Sequence, residues 1–143
     1  MKRALLIVLL GVAFLFVVTA LGTFVTNSMP TMNTPGAQTS QAGPYTVTLR
    51  VDPNPPPTDR PATFSVQIVQ EASRRPVNGA NVTLAGALED MGLSTSVIAA
   101  RASSAGTYVA RVPFSMSGSW QIQISIALPG QPTVTAVFNV TAR

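Results

Sequence analysis

Residues 120–128 read Trp120-Gln121-Ile122-Gln123-Ile124-Ser125-Ile126-Ala127-Leu128, with a large apolar side chain at every second position. Successive side chains of an extended chain point to opposite faces, so this run puts Trp120, Ile122, Ile124, Ile126 and Leu128 on one side. A helix would scatter the same residues around its axis and mix isoleucines with glutamines. The stretch therefore predicts a strand with one buried and one wet face. Such a face needs a second apolar layer to cover it.

The same alternation recurs on both sides of this stretch. Tyr45, Val47, Leu49 and Val51 alternate with Thr46, Thr48 and Arg50; Phe64, Val66 and Ile68 alternate with Ser65 and Gln67. Tyr108, Ala110, Val112 and Phe114 form a further set, and Val134, Ala136, Phe138 and Val140 close the chain. Val82–Leu84 and Val97–Ala99 add two shorter strands. Between these runs lie Asp52-Pro53-Asn54-Pro55-Pro56-Pro57, Pro76–Gly79, Gly106, Pro113, Ser117–Gly118 and Pro129–Pro132. Proline lacks a ladder donor and glycine accepts positive φ, so both punctuate strands. About seven strands with short connections and no amphipathic helix predict an all-β, immunoglobulin-like antiparallel β-sandwich over 45–143. Tyr108 and Trp120 are expected in its core.

The residues before this domain are of another kind. Ala4–Val25 is a run of 22 residues without a charge, preceded by Lys2 and Arg3. Roughly 20 apolar residues cross a bilayer core as a helix, so 1–25 is expected to be a single transmembrane anchor. A cleaved signal peptide, with Val18-Thr19-Ala20 as its small-residue site, is the competing reading. The positive-inside rule keeps Lys2 and Arg3 in the cytoplasm and puts the rest outside a bacterial cytoplasmic membrane. Residues 26–44, rich in Asn, Ser, Thr, Gly, Pro and Gln, are expected to be a flexible linker.

Composition excludes more than it assigns. The 143 residues contain no histidine and no cysteine. Thiol nucleophiles, Ser–His triads, imidazole metal cages and thiolate zinc sites are therefore absent. Adjacent Glu89 and Asp90 point to opposite faces if extended, and the only lysine precedes the anchor, so no base serves the many hydroxyls. No enzyme is expected, and no small-molecule substrate is indicated. The formal net charge is +4, but Lys2 and Arg3 supply half of it and the seven later arginines are dispersed. Arg74–Arg75 is the only basic pair beyond the anchor, without an aromatic stripe, which argues against nucleic-acid binding.

The remaining donors are thioethers. Met29 and Met32 flank Pro30-Thr31 in the linker, Met91 stands in Glu89-Asp90-Met91-Gly92-Leu93, and Met116 stands in Phe114-Ser115-Met116-Ser117-Gly118. Soft sulfur suits Cu(I), so Met91 and Met116 at one end of the sandwich, joined by Met29 or Met32, would form a Cu(I) site. The alternative is that Met91 and Met116 are adaptable core fillers, and that Met29 and Met32 touch lipid or a partner helix.

Three phrases resemble a known family. Arg75-Pro76-Val77-Asn78-Gly79-Ala80-Asn81-Val82 is similar to a turn-to-strand phrase of small bacterial immunoglobulin-like domains. Gly106-Thr107-Tyr108, followed by Phe114-Ser115-Met116-Ser117-Gly118-Ser119-Trp120, resembles a stretch of the YtkA-like family, and Met91-Gly92-Leu93 sits where that family often carries a Met-Gly-Met-type loop. The resemblance covers roughly 44–127. It implies an exported or membrane-tethered sandwich linked with copper handling, with Met91 and Met116 as copper contacts. FixH-like proteins share the plan of one span plus such a domain, which implies a role in assembly of a haem–copper oxidase or related respiratory complex. Leu93 stands where the family carries a second methionine. A stable, non-catalytic accessory subunit of a membrane electron-transfer complex is the alternative function, and Gly11, Ala13, Ala20 and Gly22 would let its span pack against other subunits.

Overall fold

The computed structural model of the chain describes residues 36–88 and 91–143. The expected anchor at 1–25, the competing signal peptide, and Met29 and Met32 all lie outside those residues. Among the described residues there are nine strands and no helix. They are β1 (Ala37–Ala42), β2 (Tyr45–Asp52), β3 (Ala62–Gln70), β4 (Asn81–Leu88), β5 (Ile98–Ala99), β6 (Arg101–Ser104), β7 (Thr107–Val112), β8 (Gly118–Ala127) and β9 (Val134–Ala142).

Two antiparallel sheets result, one ordered β1-β2-β3-β7-β6 and the other β5-β4-β8-β9. With β1 and β5 set aside, β2-β3-β7-β6 faces β4-β8-β9, the four-against-three partition of a constant-type immunoglobulin sandwich. The core lies between the sheets and is filled by the alternating residues. Phe64, Val66 and Ile68 of one sheet and Trp120, Ile122 and Ile124 of the other are essentially inaccessible to water. No polar or charged residue is buried among the described residues. Each such aliphatic or aromatic side chain contributes about 1.5–3 kcal/mol by leaving water, which fixes which face of each strand turns inward.

The sandwich begins earlier than alternation predicts. Residues 37–42 fall within the expected flexible linker, yet they form β1, paired with β2 from Ala37↔Arg50 to Ala42↔Tyr45. Only Ala42 of this strand is buried, so it has no apolar period to read. It is held by backbone pairing and by Gln38, whose Nε2 donates to the Asn139 carbonyl of β9 at 2.7 Å. That bond joins the two sheets along one side. β6 (Arg-Ala-Ser-Ser) escapes the same reading because all four residues are exposed.

The other departures are local. The short Val82–Leu84 expectation grows to the eight residues of β4, where Gly86 occupies an inward position opposite Ile122. The strand expected at Val97–Ala99 shrinks to β5. β7 stops at Val112 before Pro113, and Phe114 is buried from a loop, 5.4 Å edge-on to Trp120 and 5.9 Å from Phe64.

Candidate functional site

The strand register sorts the loops between two ends. At one end β7 finishes with Val112 opposite Ala62, β4 finishes with Leu88 opposite Trp120, and β8 starts with Gly118 opposite Ala142. The Arg143 N–H donates to the Pro56 carbonyl at 3.0 Å and its carbonyl accepts from Thr58 at 3.1 Å, so the C-terminus and the β2–β3 loop share this end. So does the start of β1, opposite Arg50.

Both candidate methionines of the domain lie here. Met91 follows β4, with its N–H directed at the Leu88 carbonyl at 3.5 Å, and its side chain is 62% exposed. Met116 lies on the β7–β8 loop and is 38% exposed. Trp120 holds that loop down: its indole Nε1 donates to the Met116 carbonyl at 3.1 Å. Gly118 presses the same loop onto β4, because a Cβ there would stand 3.0 Å from Leu88 Cδ1. The two methionine segments therefore converge on one residue, Leu88. Neither methionine belongs to the buried core. Leu93 and Val97, on the segment after Met91, are exposed as well.

Two exposed thioethers at one end suit a soft, monovalent ion held loosely, and no group of three His, Cys, Asp or Glu among the described residues could hold a harder one. The indole of Trp120 as the support of the Met116 backbone escaped the sequence reading, which took Trp120 as a core aromatic. A tryptophan four residues after a methionine, with Gly118 between, was the available signal.

The opposite end accounts for the other motif residues. Beyond the start of β7 at Thr107, the Pro76–Val77 segment takes over as the neighbour of β3: the Gln70 N–H donates to the Arg75 carbonyl at 2.8 Å, and the Val77 N–H donates to the Ile68 carbonyl at 2.9 Å. The Tyr108 hydroxyl donates to the Val77 carbonyl at 2.9 Å and accepts from the Ala80 N–H at 3.0 Å. Asn78 Oδ1 accepts from the Gly106 N–H at 2.8 Å. Pro76, Val77, Asn78, Gly106 and Tyr108 thus tie a turn to the sandwich. They bear on the fold and carry no chemistry.

The fold resembles the crystal structure of a DUF4426 family protein from Pseudomonas aeruginosa PAO1, with TM-score 0.50 and 19% identity over 73% of this chain and 94% of that one. It also resembles a copper-bound variant of FetP from uropathogenic Escherichia coli strain F11, with TM-score 0.55 and 9% identity over 78% of this chain and 97% of that one. FetP from the same strain in its as-isolated form gives TM-score 0.55 and 10% identity over 76% and 95%. At such identities the likeness is one of fold. No protein with a curated description matches the chain. The model of the YtkA-like family matches residues 39–125, most of the sandwich and more than half of the sequence. The chain belongs to the YtkA-like family.

Proposed function

We propose that the protein is a membrane-tethered, extracytoplasmic accessory factor that handles Cu(I) during assembly of a haem–copper oxidase or a related respiratory complex. The observation that carries the reading is the presentation of Met91 and Met116, on separate segments, at one end of the sandwich with exposed sulfur-bearing side chains. Copper is cargo here. Two thioethers without thiolate or imidazole suit Cu(I) in transit better than a resident ion. The copper-bound form of FetP, a protein of the same fold, lends support. The chain itself does no covalent chemistry.

The test is a Cu(I) titration of the full chain in mild detergent, under reducing conditions, against a competing chelator. The Met91→Leu/Met116→Leu double variant should lose at least tenfold in affinity while unfolding at the same denaturant concentration, since Leu matches Met in volume and both sites are exposed. Equal affinity of wild type and variant would sink the copper reading.

The exposed Leu93 and Val97 favour a second reading, a stable non-catalytic subunit, because clustered apolar side chains on a surface mark contact sites. Isolation from native membranes separates the two. A stable subunit co-purifies with its complex in constant ratio; an assembly factor is recovered with immature forms.

A further inference from the structure

The side of the sandwich away from β1 and β9 contains a cleft that the copper reading does not use. There the chain passes from the second sheet to the first, leaving β5 at Ala99 and entering β6 at Arg101. The crossing opens a cleft of about 490 Å³ with Ile98, Ala102, Val109 and Ala110 in its wall and Arg101 and Arg111 on it. The small side chains of Ala102 and Ala110 leave the space. Register puts both arginines on the outer face of the first sheet: Arg101 stands opposite Val109, and Arg111 is two residues further along β7. β6 has reached its first residue at that level, so Arg111 stands one ladder step beyond its start. Neither guanidinium has an ion-pair or hydrogen-bond partner among the described residues.

β6 is also the edge of its sheet, with neighbours on one side only and all four residues exposed. An open strand edge pairs readily with an extended segment of another chain. Charge on an edge can merely deter such pairing, but deterrence needs no apolar cleft beside it. The groove, the open edge and two cations without a partner among the described residues together describe one occupant. We propose that this edge seats an extended acidic segment of a partner protein, which pairs with β6 and sets carboxylates two residues apart against Arg101 and Arg111. The period-two geometry of a strand puts side chains i and i+2 on one face, and Arg101 and Arg111, on the neighbouring strands β6 and β7, are offset by two residues along the strand direction. The inference rests on the partner reading above and is independent of copper, so a failed copper titration leaves it standing.

The test uses the full chain in neutral detergent and a fluorescent hexapeptide alternating valine with glutamate, followed by anisotropy. Peptides with glutamine or lysine at the same positions are the controls. The glutamate peptide is expected to bind roughly tenfold tighter than the glutamine one at low salt, a preference that falls as salt rises. Arg101→Glu/Arg111→Glu should reverse the preference towards lysine while leaving Trp120 fluorescence unchanged, which shows that the variant folds. Met91→Leu/Met116→Leu should bind the glutamate peptide normally. Amide exchange of Arg101–Ser104 should slow with the peptide and stay fast with hexanoate, a free carboxylate. Equal binding of glutamate and glutamine peptides overturns the proposal. Slow exchange with neither ligand, while hexanoate binds at the two arginines, overturns it in favour of a small carboxylate site.

Discussion

The indole N–H of Trp120 donates to the carbonyl of Met116 at 3.1 Å, so the largest side chain of the core also holds the backbone of the segment that presents an exposed thioether. Four residues separate the two, and the intervening Gly118 lets the loop close against Leu88. A fixed backbone beneath an exposed thioether is the arrangement that the proposed handling of Cu(I) calls for.

Trp120→Phe separates the two parts of this arrangement. The variant keeps an aromatic ring in the core but loses the donor to Met116 and leaves a void where the indole extended. The expected loss is about 2–3 kcal/mol, of which about 1 kcal/mol is the hydrogen bond and the rest the cavity. Urea unfolding measures it. Cu(I) affinity should fall as well, although both sulfurs remain, because the Met116 loop is no longer pinned.

Tyr108→Phe should be costly for a different reason. The hydroxyl serves two backbone groups at once, the Val77 carbonyl and the Ala80 N–H, in a nearly inaccessible position. Without it both are left without this partner, at an expected cost of about 2 kcal/mol. Chemical denaturation should give a lower midpoint with an unchanged m-value. Cu(I) binding should not change, because this turn lies at the end of the sandwich away from Met91 and Met116.

The contrast between these two positions shows what the sequence exposes to reading. Wherever burial alternates, as at Trp120, Ile122, Ile124 and Ile126, the period of two reveals the strand and its inward face. β1 and β6 are held by backbone hydrogen bonds at sheet edges, with almost no side chain in the core, so no periodicity betrays them. Gly86 interrupts the apolar period of β4 at an inward position where a side chain would meet Ile122 and Thr95. The site divides in the same way. Met91 and Met116 stand out because the chain has no better donors, whereas the Trp120–Met116 bond and the placing of Arg101 and Arg111 on one cleft depend on how loops and strands meet in space.

Gly106 and Gly79 make a matched pair for testing the turn. Both have positive φ, 67° and 72°. A Cβ at Gly106 would stand 2.6 Å from Pro76 Cβ and 2.8 Å from the Ile68 carbonyl oxygen, whereas a Cβ at Gly79 meets nothing within 4 Å. Gly79→Ala should therefore cost only the left-handed backbone penalty, about 1 kcal/mol. Gly106→Ala should add a clash with backbone that cannot yield, for a total of about 3 kcal/mol or more. Thermal or urea unfolding of the two variants side by side checks the difference, and equal losses would show that Pro76 moves freely.

Copper binding through methionine has a pH signature of its own. Thiolate and imidazole ligands lose affinity as pH falls, because protons compete for the donor atom. A thioether binds no proton in this range, and the chain has no histidine or cysteine. Cu(I) affinity should therefore be flat from about pH 5.5 to 8, above the usual carboxylate range of about 4. A titration at several pH values with a chelator of known proton dependence measures this. A fall of one decade per pH unit within that window would show that a titrating group, and not the Met91 and Met116 sulfurs alone, holds the ion.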